Sequence, residues 1–421
     1  VELAVQETLW GPVVDQDHQN RPRALRWVAH DPAGLNLRLA DLERAADLEQ
    51  ALGIARRIGV PSQNILVADR QGRIGWTLTG PIPRRFGHDG RQPTSWASGL
   101  RGWDGWLPPE EKPTITDPED GRLWTANNRT VDGQWLELLG DGGYVLGARA
   151  RQIRDTLMQL EKADREDMLA LQLDDRALFL ARWQKLLLEV LDQTALTGHP
   201  QRRTLRQLVE DWQGRAAVDS VGYRLVRAFR LLVEQRALWP LIAPAWALDP
   251  RFELDLLPHR ETALWQLVTR QPHHLLDSRH DNWQQLLLEA TDALIEELTA
   301  EGRELAGRPW GERNTSRFQH PFSRKLSFLS AWLDMPHLPL PGDLHMPRVQ
   351  TSRAGASQRM VVSPGREEEG IFHMPGGQSG HPLSPHYRNS HRAWAAGRPT
   401  PFLPGPTVNT LTLVPDYHRA P

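Results

Sequence analysis

The strongest constraint on the fold is a change of hydrophobic period inside the chain. From about Gly147 to Leu333 the sequence is Leu-rich and studded with Arg and Glu. Leu180, Trp183, Leu187 and Val190 recur at helical spacing, and so do Trp283, Leu287, Ala290 and Leu294. One apolar stripe per segment predicts helices that bury that stripe against one another. On either side the reading shifts to short strands. Glu2–Leu9 and Ala24–Ala29 read as two strands joined by the polar segment Asp15–Arg23. Gln63–Ala68 and Arg73–Leu78 flank Asp69-Arg70-Gln71-Gly72, a turn-forming tetrad, and predict a hairpin. Between these pairs, Ala45, Leu48, Leu52 and Ala55 predict an amphipathic helix within Asp41–Ile58 that lies against a sheet. The stretch from Gly80 to Asp120 is crowded with Gly, Pro, Trp and His, which predicts long irregular loops that build a site. Further strands are expected at Gln358–Val362, Gly370–His373 and Val408–Leu413. Strands, then helices, then strands predict an α+β layered core with a helical insertion, divided as 1–146, 147–337 and 338–421.

Composition narrows the function. Hydrophobic residues make up 39% of 421, enough for a substantial core. Fifty basic against 52 acidic side chains leave a net charge of -2, so no charge excess recommends nucleic acid or an anionic membrane as partner. The absence of cysteine excludes disulfides, thiolate-bound metal and thiol catalysis, and fits either the cytoplasm or an oxidising periplasm. No apolar run approaches the roughly 18 residues of a membrane span, and no signal peptide opens the chain. Val1 stands where an initiator Met would, and the residues after it already alternate like a strand in mid-sheet, so a longer parent protein is expected.

The first candidate for chemistry is Trp124-Thr125-Ala126-Asn127-Asn128-Arg129, which follows the turn Asp117–Gly121. An Asn amide at a strand end can donate to a developing oxyanion, although an Asn pair by itself more often builds turns. His88-Asp89 and the group His373, His381, His386 and His391 do not repeat on one helix face and read as loop hydrogen-bonders. Gly377-Gln378-Ser379-Gly380-His381 is short of a nucleophile elbow, because His381 stands where Gly is needed and Pro382 and Pro385 follow where a helix should. Ser379 is therefore rejected as a nucleophile, and the glycines are expected in a tight loop. Trp96, Trp103 and Trp106 can line an acyl pocket or serve as structural filler.

The ordered motifs IGWTLTGPIP (74–83), GHDG (87–90), GWDGWLPPEEKP (102–113), DPEDGRLWTANNR (117–129) and GARARQI (147–153) strongly resemble the large subunit of the penicillin acylase family, which includes acylhomoserine-lactone acylases. The closing stretch 355–394 also looks like the end of that subunit, so the resemblance covers nearly the whole chain. It implies an N-terminal-nucleophile hydrolase with a four-layered αββα core, here incomplete and carrying a large helical insertion. It further implies self-cleavage into two chains, a small N-acyl amide as substrate (a β-lactam side chain or an acylhomoserine lactone), a smaller subunit from the same precursor as partner, and export to the periplasm. By motif position the oxyanion Asn matches Asn127, and the Arg that orders the site matches Arg149, with Arg151 as the alternative. No cofactor is required, and calcium is a possible structural ion with Asp141 as a possible ligand; a loop role for Asp141 before Gly142-Gly143 is the preferred reading. Family members open this subunit with a nucleophilic Ser followed by a His, and only later reach a strand like Glu2–Trp10. The expectation is that residues 1–421 lack the nucleophile and are inactive alone, with a noncatalytic remnant that binds an acyl ligand or a partner chain as the alternative.

Overall fold

The computed structural model describes residues 3–415. Its first sheet has three short strands, Glu7–Thr8 (β1), Gly11–Gln16 (β2) and Pro22–Ala24 (β3), with β2 in the middle. This corrects the expected pair: Glu2 lies outside the described residues, and much of the expected polar connector is itself a strand. Cross-strand charge explains the miss, because Arg23 faces Asp15 in the β2–β3 register and ion-pairs with it at 2.6 Å. The expected second strand continues instead as a 3-10 turn at Val28–His30.

The expected hairpin is present as Asn64–Ala68 (β4) and Ile74–Leu78 (β5), in register from Asn64↔Leu78 to Ala68↔Ile74. Asp69 makes the turn: its carboxylate accepts the N–H groups of Gln71 and Arg73, each at 3.0 Å. The preceding helix is shorter than its pattern, with a 3-10 stretch Arg38–Arg44 followed by the helix Leu48–Ala55 (α1). Asp47 caps α1 by accepting Gln50 N–H at 2.8 Å. Leu48, Leu52 and Ala55 are buried on one face of α1, which lies on β5 as expected. The approach is so close that a Cβ at Gly75 would stand 2.8 Å from Leu52 Cδ1, which is why glycine occupies the strand there.

The stretch 80–120 is more regular than expected. Pro83–Phe86 (β6) pairs with Gly102–Trp106 (β7), and Thr114–Thr116 (β8) adds to β5. Positive-φ glycines at 87, 99 and 105 and a register shift between Pro83 and Arg85 interrupt the alternation that would have announced these strands. Lys112, almost fully buried, fastens α1 to this region by donating to Arg56 O and Gly80 O, both at 2.6 Å.

Helices then run from Ala148 to Leu333, as the period predicted. Every residue of the two stripes that begin at Leu180 and Trp283 is buried. Their centre is the helix Val221–Leu248, started by a Ser220 cap on Tyr223 N–H at 3.2 Å and packed against Trp283–Thr299. Its buried face ends at Leu238, and past Pro240 and Pro244 the residues Trp246 and Leu248 are exposed. Buried charge inside this unit is paired: Glu261 accepts from Arg182, from Trp183 Nε1 at 3.0 Å and from Arg230 Nη2 at 2.5 Å. Among the described residues, no helix is long and apolar enough to cross a membrane.

At the C-terminal end Arg359–Val361 (β9) pairs with Ile371–His373 (β10), matching two expected strands. The third, Val408–Leu413, is not a strand; its apolar side chains are more than four-fifths exposed, and it pairs with no strand among the described residues.

Candidate functional site

The turn after β8 is built by Asp117, whose carboxylate accepts Ile74 N–H at 3.0 Å, and by Gly121, whose N–H reaches Pro118 O at 2.8 Å. The chain then passes through the buried Ala126 into Asn127, which adopts a left-handed conformation with φ 60. Asparagine tolerates this region better than most side chains. The two asparagines divide the work. Asn128 Oδ1 accepts Ala126 N–H at 2.9 Å and its amide donates to Arg129 O at 2.6 Å, so the second Asn shapes the turn. Asn127 is held by Val145 N–H on its backbone carbonyl at 3.1 Å and by Arg149 Nη2 on its side-chain Oδ1 at 2.9 Å. With Oδ1 engaged, the amide's other end, Nδ2, has no acceptor on the chain among the described residues.

Arg149 sits in the first turn of the helix Ala148–Leu157 (α2). Burial lowers its pKa from the ordinary Arg value. Of the two candidate arginines, Arg149 is the one that meets Asn127. Arg151, two residues on, leaves the helix on a different side, is 78% exposed and faces Asp155 at 3.6 Å.

Asp141 Oδ1 meets His259 Nε2 at 3.0 Å and accepts Gly143 N–H at 3.4 Å. The His259 contact, aided by Gly143, holds this carboxyl below the usual Asp range. His259 was invisible to sequence reasoning, because nothing local marks a partner so distant in sequence. Calcium takes six to eight oxygens, and among the described residues no group of three or more His, Asp or Glu gathers around Asp141 or elsewhere. The residues present do not by themselves make a calcium site.

Ser379, His88, His381 and His386 lie in loops as expected, whereas His373 ends β10 and His391 opens the helix His391–Ala396; each of the last two is held by backbone carbonyls. His391 ring nitrogens face Pro375 O at 2.7 Å and Pro336 O at 3.0 Å, and His373 Nε2 faces Arg398 O at 2.7 Å. His88 accepts Gly90 N–H at 3.1 Å, His381 accepts Leu383 N–H at 3.2 Å, and Ser379 Oγ accepts His381 N–H at 3.1 Å. The glycine loop is tight: a Cβ at Gly377 would fall 1.7 Å from His386 O.

The tryptophans form a run, with ring centroids 6.4 Å apart for Trp10 and Trp96, 6.3 Å for Trp96 and Trp103 and 5.7 Å for Trp103 and Trp106. Of the three Trp residues proposed for a pocket, Trp103 lines a cavity of about 390 Å³ that extends to Thr130 and Tyr144, both later in the chain than Asn127, the second being the neighbour of the Val145 that bonds Asn127 O. A second cleft, of about 530 Å³, opens along α2 beside Phe179 and Arg182. The sequence reading missed it, since Phe179 and Arg182 look like ordinary members of a helical stretch.

The chain mixes helix and sheet and holds an Arg-oriented asparagine on a loop whose later residues Thr130 and Tyr144 line one of these two cavities. Residues 1–406 match the family model described as Penicillin amidase, and the chain belongs to that family. It is 28% identical to a penicillin acylase 2 proenzyme of Pseudomonas sp. (strain SE83), over 96% of this chain and 52% of that protein. It is 27% identical to the acyl-homoserine lactone acylase QuiP of Pseudomonas aeruginosa, over 86% of this chain and 46% of that protein. The chain thus spans about half the length of the curated relatives it matches. Its fold is that of a thermostable penicillin G acylase from Alcaligenes faecalis, with a TM-score of 0.67 at 17% identity over 98% of this chain and 79% of that one.

Proposed function

We infer that this chain carries the oxyanion-binding side of an amide hydrolase that releases the acyl group from a small N-acyl amide. The observation that carries this reading is the 2.9 Å bond from Arg149 to Asn127 Oδ1, which turns the amide so that its N–H₂ end is available to a ligand. A permanently charged, half-buried guanidinium on the amide oxygen also polarises that N–H₂ group and makes it a stronger donor. In the reaction the acyl carbon gains an oxygen from water, the C–N bond breaks and the amine leaves with the proton. While the carbonyl is tetrahedral its oxygen carries negative charge, and a fixed donor at that point stabilises the transition state more than the substrate.

The nucleophile that attacks the carbonyl belongs, in this reading, to a part of the protein outside residues 1–421, as does a smaller partner subunit cut from the same precursor. The relatives of about twice this length support that division. The sheet β4–β5–β8, covered on one face by α1, is read as one half of an αββα core. Exposed Leu66 and Ile115 on that sheet fit a further layer packed over it. The relatives' names point to β-lactam side chains or acylhomoserine lactones as substrates, and the periplasm is the expected compartment.

The test is Asn127→Ala in the complete protein. Turnover is expected to fall about a hundredfold or more, with thermal unfolding unchanged. Near-normal turnover in that variant removes Asn127 from the mechanism. Intact mass and N-terminal sequencing of the mature protein test the rest: two chains, the larger opening on Ser, Thr or Cys, are expected.

A further inference from the structure

The charge of this chain is balanced as a whole but not along its length. From Arg313 to Arg366 the only carboxylates are Asp334 and Asp343, and both are buried, at 5% and 4% exposure. From Gly370 to Pro415 there is no carboxylate, while Arg388, Arg392 and Arg398 stand there. The two stretches meet: Tyr387 Oη donates to Leu333 O at 2.8 Å, and Arg388 Nη2 to Ala331 O at 3.0 Å. A net charge of -2 thus conceals a basic region.

At its centre is an apolar ridge. Three short helical turns, Pro321–Lys325, Ser327–Leu329 and Ser330–Leu333, follow one another, and of residues 321–332 only Ser323 is buried. Asp334 explains the arrangement: its carboxylate accepts the His320 N–H at 2.9 Å, the Ser330 hydroxyl at 2.7 Å and the Ser323 hydroxyl. Folding the segment onto that buried carboxylate turns the two serines inward and leaves Phe322, Leu326, Phe328 and Trp332 between 49% and 66% exposed. Arg324 and Lys325 are exposed among them, and Asp334, their nearest carboxylate in sequence, is committed to those three donors. A second exposed aromatic pair, Trp239 and Trp246 with rings 6.0 Å apart, has acidic company instead, since Asp249, Glu253 and Asp255 follow it.

Aromatic and aliphatic side chains interleaved with Arg and Lys suit the surface of a phospholipid bilayer: rings enter the boundary between headgroups and acyl chains, and the cations stay with the phosphates. Another protein chain fits this surface less well. Covering Arg324 and Lys325 with protein desolvates two cations for which this segment offers no counter-charge, and protein interfaces are depleted in Lys. A layer of anionic headgroups supplies the counter-charge and keeps the cations hydrated.

We propose that residues 321–332 form a peripheral docking surface for an anionic phospholipid bilayer, with Phe322, Phe328 and Trp332 entering the headgroup boundary and Arg324 and Lys325 facing the phosphates. This surface is independent of the hydrolase reading and leaves it standing either way.

The test is flotation of the complete, processed protein with vesicles of phosphatidylcholine alone and of equal parts phosphatidylcholine and phosphatidylglycerol. Binding to the mixed vesicles is expected to be tighter by about tenfold or more at low salt, and to weaken as sodium chloride is raised. Arg324→Gln combined with Lys325→Gln should weaken binding to the mixed vesicles by about tenfold or more. Phe328→Ala combined with Trp332→Ala should cost about tenfold or more at low and at high salt, whereas Trp246→Ala should leave binding unchanged. All of these side chains are exposed, so thermal unfolding is expected to stay that of the unaltered protein. Ser327→Cys, in a chain that has no cysteine of its own, reports whether the ridge is open: thiol labelling should be fast in the free protein and slowed by mixed vesicles. Slow labelling without vesicles means that another part of the protein covers the ridge, and overturns the proposal. So does binding that is equal on both vesicles, absent from both, or unmoved by either pair of substitutions.

Discussion

The helical region and the strand-bearing region before it solve the same problem with different completeness. The helices bury Trp183, Leu187, Phe229, Val233, Leu264, Leu287 and Leu294 at 0% exposure in one continuous core. The region before them has a cluster of four buried side chains, Trp76, Leu78, Ile82 and Leu107, while Leu35, Leu37 and Leu66 face solvent. A helix satisfies its backbone internally and needs neighbours only for its stripe, so the helical region from Ala148 to Leu333 can close on itself. A sheet needs partners at both edges and on both faces, and among the described residues β4 and β8 each have an unpaired edge. Stability is thus concentrated in one region, while Asn127 and the Trp103 cavity lie in the other.

This contrast can be broken by mutation. The largest stability effect is expected from Phe229→Ala at the centre of the helical core, a loss of about 3–5 kcal/mol in chemical denaturation. A loss below about 1 kcal/mol would mean that the core is loosely packed. Acid should act on the same region through His345, whose pKa is lowered to about 4 by burial and the neighbouring Arg230. Because the unfolded chain takes up this proton near pH 6.5 and the folded chain resists it, His345 contributes fully above pH 6.5 and its contribution disappears as pH falls toward 4. The effect is on the order of 3 kcal/mol at most, and it should be flattened in His345→Phe when denaturation midpoints are followed between pH 7 and 4. A smaller loss, about 1–2 kcal/mol, is expected for Lys112→Met, which leaves Arg56 O and Gly80 O without their shared donor. Smallest is Leu66→Ala on the open sheet face: less than about 0.5 kcal/mol in residues 1–421 alone. The same substitution in the complete protein sharpens the comparison, since a cost above about 2 kcal/mol there would show that another layer covers that face.

Where side-chain period and burial agree, the fold was legible. Both Leu/Trp stripes, α1, and the β4–β5 turn at Asp69 follow from local pattern and local hydrogen bonding. Legibility failed where pairing was polar, as in β2 with its Asp15–Arg23 pair, or broken by glycine, as in β6 and β7. It failed in the other direction at Val408–Leu413, where alternation is present and no strand among the described residues pairs with it. The candidate site divides in the same way. The motif around Asn127 marked the loop, but only the position of α2 decided that Arg149, and not Arg151, meets the amide.

What the sequence determined alone is periodic and near-neighbour: which segments are helical, where the turn at Asp69 joins two strands, and that the chain belongs to the Penicillin amidase family. What the tertiary structure decided is every choice between equals. It placed Arg149 against Asn127, His259 against Asp141, and Arg182 across a cleft from Arg151. The physical reason is that a side chain's direction is set locally by backbone and rotamer, whereas the partner it meets depends on how separate segments, each with its own buried face, come to rest together.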